Sequence, residues 1–183
     1  MKKTIFYSVV FFLYGIMTGN AGDPVRIKNF REIYSSYASI TGVGADDVEI
    51  QLVFNNIKDR LPKYGIPQEF NNNTVLAMIE LSGYFCKKAI AREENQTHGE
   101  RLIFSDIDFT RGPSQFSDFL ISRISQRLAV MFWLRDVKQK EIEVMNSLFA
   151  KSTSAQDDSI DALKNILQIM CANYASSMAF LVK

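Results

Sequence analysis

Residues 72–95 read NNTVLAMIELSGYFCKKAIAREEN, and this stretch decides the fold. Its apolar side chains recur at three- and four-residue steps, the spacing that keeps side chains on one face of an α-helix. Asn72 or Asn73 can cap this helix, because an asparagine side chain accepts hydrogen bonds from backbone N–H groups of the first turn. The pattern predicts a helix that ends near residues 92–95 and whose apolar face carries Leu76, Ile79, Gly83, Phe85, Cys86, Ala89 and Ile90.

The same helical spacing occurs before this stretch. Residues 27–40 predict a first helix, which two nearby glycines at positions 42 and 44 would stop. Residues 50–61 predict a second helix, for which Asp46 and Asp47 are candidate N-cap residues. Pro62, Gly65 and Pro67 then break the pattern, because prolines and glycine do not continue a helix.

Three further helical patterns follow, over residues 116–134, 142–149 and 160–181. Asp136 and Gln139 have the spacing of a capping box before the second of these patterns. Residues 152–158 are polar and predict a linker. No strand-like alternation persists and no internal repeat is present. The sequence therefore predicts an all-α protein, a compact bundle of about five or six helices.

The N-terminus has the pattern of a secretory signal peptide. Lys2 and Lys3 precede an apolar run over residues 5–17, and the small-residue motif Thr18-Gly19-Asn20-Ala21 follows. The run is shorter than the roughly 20 apolar residues that span a bilayer. Residues 1–21 are thus predicted to be cleaved before Gly22, which leaves a single helical domain at residues 22–183; an uncleaved anchor and a buried helix are the alternatives. The protein is expected to be periplasmic or secreted.

Charge and hydropathy exclude two classes of partner. The chain has 21 basic and 20 acidic residues, so loss of Lys2 and Lys3 would leave 19 − 20 = −1. A nearly neutral chain without a basic block argues against nucleic acid as the main partner. No second long apolar run follows the signal, so no membrane span is expected after its cleavage.

The chain has two cysteines, Cys86 and Cys171, both on apolar segments. In an oxidising compartment, two such cysteines predict one disulfide bond. The alternative is a pair of buried free thiols, which behave as small apolar side chains. Structural zinc normally takes four Cys or His ligands, and the chain has only one histidine besides these cysteines. No metal and no cofactor are therefore expected.

Residues 96–115 are polar and contain glycines and a proline, which predicts a long loop with one short helical turn at residues 101–104. Long loops inside small domains are often functional. This loop carries Phe104 and Phe109, and Phe116 follows it directly. We expect these three rings to be presented to a protein partner.

An enzymatic role would have to use His98, the only histidine, with Glu100, Asp106 or Asp108 as acid and base. The chain contains no His-Glu-x-x-His motif, no phosphate-binding loop and no Gly-x-Ser-x-Gly motif. The favoured interpretation of His98 is an ordinary surface histidine, and no catalytic residue is assigned.

The acidic residues of the loop allow two interpretations. Glu100, Asp106 and Asp108 carry the oxygen ligands that a hard cation prefers, but their spacing is not that of an EF-hand loop. Ion pairs from Asp106 or Asp108 to Arg101 or Arg111 are the favoured interpretation, and they would order the loop against the bundle.

Trp133 and Arg135 end the fourth long helical pattern. A tryptophan beside an arginine is a common pair at interface hot spots. Alternatively, Trp133 packs against the last helix and Arg135 lies near a helix C-terminus, where its positive charge is favoured. Both residues stay candidates for contact with a protein.

Three stretches resemble a known family. Residues 26–34, RIKNFREIY, followed by Thr41-Gly42-Val43, are similar to the opening of a domain of unknown function in secreted planctomycete-type cytochrome-associated proteins. Residues 132–135, FWLR, with Glu141, are similar to that family's Phe-x-Arg…Glu pattern. Residues 176–181, SSMAFL, resemble its terminal Ser-Pro-x-Phe-Leu, with Met178 in place of the proline. The chain is shorter and has no haem motif, so the resemblance implies a secreted helical module and no particular site.

The function predicted from the sequence is that of an exported, non-enzymatic helical protein that binds another protein in the bacterial cell envelope. The alternative is a carrier of a small apolar ligand or lipid in the periplasm. Helical bundles can enclose such a ligand, and the chain is rich in apolar side chains that could line its site, with 14 phenylalanines and 7 methionines. The partner and the oligomeric state stay open.

Overall fold

The computed structural model describes residues 26–153 and 157–182. The predicted signal peptide lies outside these residues. The described ranges form an all-α architecture, as predicted, and their one extended pairing is an isolated bridge between Ile27 and Val182. None of their helices is long and apolar enough to cross a membrane. The helices are α1 Phe30–Thr41, α2 Val48–Ile57, α3 Asn72–Glu94, α4 Asp118–Trp133, α5 Gln139–Thr153, α6 Ile160–Ala175 and α7 Met178–Leu181.

Helix α3 is the centre of the bundle. It packs most extensively against α6 and also contacts α1 and α2. Its cap is Asn71, whose side chain accepts from the N–H groups of Asn73 and Thr74. The sequence could not choose among three consecutive asparagines, so the predicted cap was one or two residues late. The buried apolar residues of α3 are Ala77, Met78, Leu81, Phe85, Cys86, Ala89 and Ile90. The predicted apolar face is therefore right from Phe85 onward but wrong at Leu76, which is 41% exposed.

The predicted disulfide is present. Cys86 on α3 and Cys171 on α6 are joined by an S–S bond of 2.04 Å, with their Cα atoms 5.9 Å apart. Both residues are fully buried. The covalent link therefore lies inside the largest helix–helix interface of the bundle.

Other boundaries agree with the sequence in part. Asp47 caps α2, as predicted, by accepting from the N–H of Ile50. The last helical pattern is divided at Ser176, where α6 ends before the single turn of α7. Asp136 does not form the predicted capping box; instead Glu141 accepts from the N–H of Lys138 before α5.

Three distant segments meet where the described chain begins. The N–H of Ile27 donates to the carbonyl of Gly65 over 3.0 Å, and the N–H of Lys28 donates to the carbonyl of Leu181 over 2.9 Å. Next to this junction, the ring of Phe180 stacks on Tyr37 of α1 with 4.7 Å between centroids. The first residues, the α2–α3 connection and α7 thus close one end of the bundle.

Gly65→Ala is expected to lower the free energy of unfolding by about 2–3 kcal/mol. Gly65 has φ 75°, and a Cβ there would lie 2.4 Å from the carbonyl oxygen of Ile27. Urea denaturation measures the loss. Gly99→Ala is the matched control, because a Cβ at that position meets nothing within 4 Å. Equal stabilities for the two variants would contradict the close approach at this junction.

Candidate functional site

The long loop, residues 95–117, is tied to the bundle by Glu93 in the last turn of α3. This carboxylate is fully buried. Its Oε1 accepts from the N–H groups of Leu102 and Ile103 over 3.1 and 2.9 Å, and its Oε2 accepts from the N–H of Phe104 over 2.7 Å. The predicted helical turn at residues 101–104 is therefore wrong, because these amides converge on a side chain. Sequence analysis missed Glu93.

The loop does not present its aromatic rings, which corrects the predicted contact surface. Phe104 is fully buried and Phe109 is 5% exposed, so both rings belong to the core. Phe116 is half-buried and packs edge-on against Phe149 of α5, with 4.4 Å between centroids. The hydrogen bonds to Glu93 hold the backbone of residues 102–104 against the bundle, so the side chains of Ile103 and Phe104 lie in the core.

Asp106, one of the acidic residues of the loop, forms ion pairs with arginines of a neighbouring helix. Asp106 forms ion pairs of 3.0 Å with both Arg123 and Arg127 of α4, where the sequence favoured Arg101 or Arg111. Arg101 instead donates to the carbonyl of Gln96 over 3.0 Å. The loop is thus ordered against the bundle by charge, as predicted, but through α4.

The remaining candidates for acid–base chemistry have local partners. Hydrogen bonds from Thr110 lower the pKa of Asp108, and hydrogen bonds from Thr97 lower the pKa of Glu100. His98 Nδ1 lies 2.7 Å from the carbonyl oxygen of Ser105. Over the residues that the structure describes, no three His, Cys, Asp or Glu side chains are grouped as a metal site requires.

The chain turns from α4 toward α5 at Trp133, the last residue of α4, and at Leu134 and Arg135, which follow it. We call these three residues the elbow. The Trp133 ring packs on Tyr174 of α6 with 4.5 Å between centroids, and its Nε1 donates to the Tyr174 carbonyl over 2.9 Å. Trp133 therefore packs against α6, as the alternative interpretation expected. One part of the ring stays exposed, and the Arg135 guanidinium lies 4.6 Å from the ring centroid.

Arg135 is held in place by Glu141 of α5. Its Nη1 and Nη2 atoms donate to the two carboxylate oxygens over 3.0 and 2.6 Å. Burial acts to raise the pKa of Glu141, but hydrogen bonds from Arg135 and from the Lys138 N–H bring that pKa below its ordinary value. The hydrogen bond to Glu141 raises the pKa of Arg135. A two-point charged contact of this kind fixes the guanidinium plane over the Trp133 ring.

Leu134 is the unusual residue of the elbow. It ends α4 with φ 54° and ψ 30°, the left-handed region, and it is 87% exposed. Among the described residues it alone has positive φ without being glycine. The same position after α1 is occupied by Gly42, at φ 62°. Leucine in this conformation is disfavoured, and its side chain here gains almost no burial in return.

An exposed stripe on α4 leads up to the elbow. It consists of Phe119, Arg123, Gln126 and Val130, which share one face of the helix because they recur at four-, three- and four-residue steps. Phe119 is 71% exposed and Val130 is 47% exposed. The Gln126 amide donates to the carboxylate of Asp136, which lies beyond the elbow and folds back over the middle of this α4 stripe.

Comparison of the chain with protein-family models, with curated proteins and with solved structures found no match. The site is therefore interpreted from its own residues, and the resemblance to domains of cytochrome-associated proteins stays a prediction.

Proposed function

We propose that this chain is an exported, non-enzymatic helical protein that acts by binding another protein in the bacterial cell envelope, and that the elbow makes the contact. The observation that carries the proposal is Leu134, an 87% exposed leucine held at positive φ. Backbone strain of this kind is concentrated at functional sites.

The energetics of Leu134 favour a role outside folding. A left-handed conformation costs a non-glycine residue about 1–2 kcal/mol, and full burial of a leucine side chain returns about 1.5–3 kcal/mol. In the isolated domain Leu134 incurs that cost and stays exposed. A partner that covers the side chain would supply the missing burial.

The flanking residues suit a binding surface. The guanidinium of Arg135 is stacked on Trp133 and fixed by Glu141, so both side chains are ordered before any partner arrives. Ordered side chains lose little conformational entropy on association. Tryptophan and arginine are also the residue types most enriched at binding hot spots.

Export is supported by the N-terminal pattern and by the disulfide. The bond between Cys86 and Cys171 is compatible with an oxidising compartment such as the periplasm. The alternative function, a carrier of an apolar ligand, stays a prediction, which a native mass spectrum of the periplasmic protein would test through any additional bound mass.

Photo-cross-linking in living cells tests the proposal. A photoreactive amino acid at position 134 is expected to form an adduct with a second envelope protein. The same amino acid at Tyr64, which is 78% exposed on the α2–α3 connection, is the control and is expected to form none. If positions 134 and 64 give the same products, the elbow is not a specific contact surface.

A further inference from the structure

Two stretches of the chain match the pattern Asn-x-Thr, which marks asparagines that can carry a sugar chain in exported proteins. They are residues 72–74, NNT, and residues 95–97, NQT. A three-residue pattern arises readily by chance, so the sequence alone does not choose between them. The pattern specifies the asparagine that is modified and the threonine two residues later, and a transferase has to reach both side chains. The structure therefore tests each match by the exposure of these two residues.

The match at residues 72–74 is blocked by the fold. Asn72 is the first residue of α3. Thr74 is 1% exposed, and its hydroxyl is bonded to the carbonyl oxygens of Arg60 and Glu69, each 3.0 Å away. The hydroxyl is thus directed into the contact between α3 and the α2–α3 connection. A transferase cannot contact this threonine unless the start of α3 unfolds.

The match at residues 95–97 is accessible. Asn95 follows the last residue of α3, and both Asn95 and Thr97 are exposed. The Thr97 hydroxyl donates to the carboxylate of Glu100, itself an exposed residue, over 2.8 Å. The Asn95 Nδ2 donates to the carbonyl of Ala91 over 2.9 Å. An amide nitrogen carries two hydrogens, so this bond leaves one of them free for replacement by a sugar.

A sugar chain at Asn95 would begin far from the elbow. Glu94, the residue before Asn95, pairs with Lys164 near the start of α6 over 2.8 Å. The elbow lies against Tyr174 near the end of α6, where the Nε1 of Trp133 donates to its carbonyl. These two α6 residues are 174 − 164 = 10 positions apart, which is about 15 Å along the helix axis. Glycosylation at Asn95 and binding at the elbow are therefore compatible.

We propose that Asn95 is glycosylated on its Nδ2 atom after export, and that Asn72 is not. The donor is a lipid-linked oligosaccharide, in which a pyrophosphate joins the sugar chain to the lipid. Nδ2 forms a bond to C1 of the first sugar while the bond from C1 to the phosphate oxygen breaks. The lipid pyrophosphate leaves with the electron pair of the broken bond, and one Nδ2 proton passes to water. Glycosylation goes beyond the proposed function and shares with it only the requirement for export.

Mass spectrometry of tryptic peptides tests the site, with the protein recovered from the organism that makes it. Trypsin cuts after Arg92 and Arg101, so the peptide of residues 93–101 contains Asn95 as its only asparagine. This peptide should carry an added mass that corresponds to whole sugar units. The peptide of residues 64–87, which contains Asn72, should carry none. An unmodified peptide 93–101, or a sugar on peptide 64–87, would overturn the proposal.

Four variants test whether the pattern itself is recognised. Asn95→Gln and Thr97→Ala should each abolish the added mass, whereas Thr97→Ser should keep it, because serine retains the hydroxyl. Asn72→Gln is the matched control and should leave the added mass unchanged. Unchanged thermal melting of each variant shows that the fold is intact. Added mass that survives in Asn95→Gln or in Thr97→Ala would contradict recognition of this pattern.

Glycosylation and partner binding can fail independently. Asn95→Gln should cross-link at position 134 to the same envelope protein as the wild type does. An unmodified wild type that cross-links at position 134 refutes glycosylation and leaves the proposed function standing. A glycosylated wild type without that cross-link refutes the proposed function and leaves the Asn95 site standing.

Discussion

Glu93→Ala is expected to lower the free energy of unfolding by about 3–5 kcal/mol. The carboxylate is fully buried and accepts from three consecutive backbone N–H groups, those of residues 102–104. Without it, two of these amides, at the fully buried Ile103 and Phe104, lose their acceptor in a place that water does not reach. Each unsatisfied buried amide costs about 1–3 kcal/mol.

Two further variants separate the effect of losing the three hydrogen bonds to Glu93, which we call the Glu93 anchor, from the effect of losing a negative charge. Glu93→Gln keeps the shape but turns an amide NH2 toward one backbone N–H, so an intermediate loss is expected. Glu94→Ala removes the neighbouring carboxylate, which pairs with Lys164 at the surface over 2.8 Å, and should cost less than about 1 kcal/mol. Urea denaturation of the three variants gives the comparison, and a Glu93→Ala loss no larger than that of Glu94→Ala would contradict the anchor.

Removal of the disulfide, by Cys86→Ala with Cys171→Ala, is expected to cost about 4–5 kcal/mol. The bond closes a loop with a sequence separation of 85 residues, so the reduced chain gains much conformational freedom when it unfolds. Thermal melting with and without a reductant measures the effect. The reductant should lower the melting temperature of the wild type and leave that of the double variant unchanged. A wild type that melts at the same temperature under both conditions would contradict a stabilising bond.

The fold class was predictable because helical periodicity is a local signal. The second half of the apolar face of α3, from Phe85 to Ile90, and the Asp47 cap of α2 both depend on residues within a few positions of one another. The disulfide was predictable for another reason, since two cysteines in a chain with a predicted export signal have one intramolecular pairing available.

The loop was not predictable, because its conformation depends on side chains outside it, those of Glu93 on α3 and of Arg123 and Arg127 on α4. Residues 92–95 look like the charged end of a surface helix, and nothing local shows that Glu93 is buried and accepts three amide hydrogen bonds. The misplacement of Phe104 and Phe109 follows from that error. These rings were expected to be presented to a partner, whereas the backbone that carries them is held against the core.

Two residues of the candidate site could be predicted from the sequence, but the backbone conformation between them could not. The sequence drew attention to Trp133 and Arg135 as a pair, while Leu134 between them is the last apolar position of the fourth helical pattern. The positive φ of Leu134 is a backbone angle that residue type does not reveal at a leucine.

The central claim is that Leu134 is kept for binding rather than for folding. A competition experiment with Leu134→Gly tests it most directly, with the partner captured by cross-linking at position 134. Glycine adopts positive φ without strain, so the variant should be at least as stable as the wild type. Wild-type protein without the photoreactive amino acid, added in excess, should suppress the cross-link. The Leu134→Gly variant, added in the same excess, should not. If Leu134→Gly competes as well as the wild type, the leucine has no binding role. If the variant unfolds, the leucine is needed for folding. Either result contradicts the account.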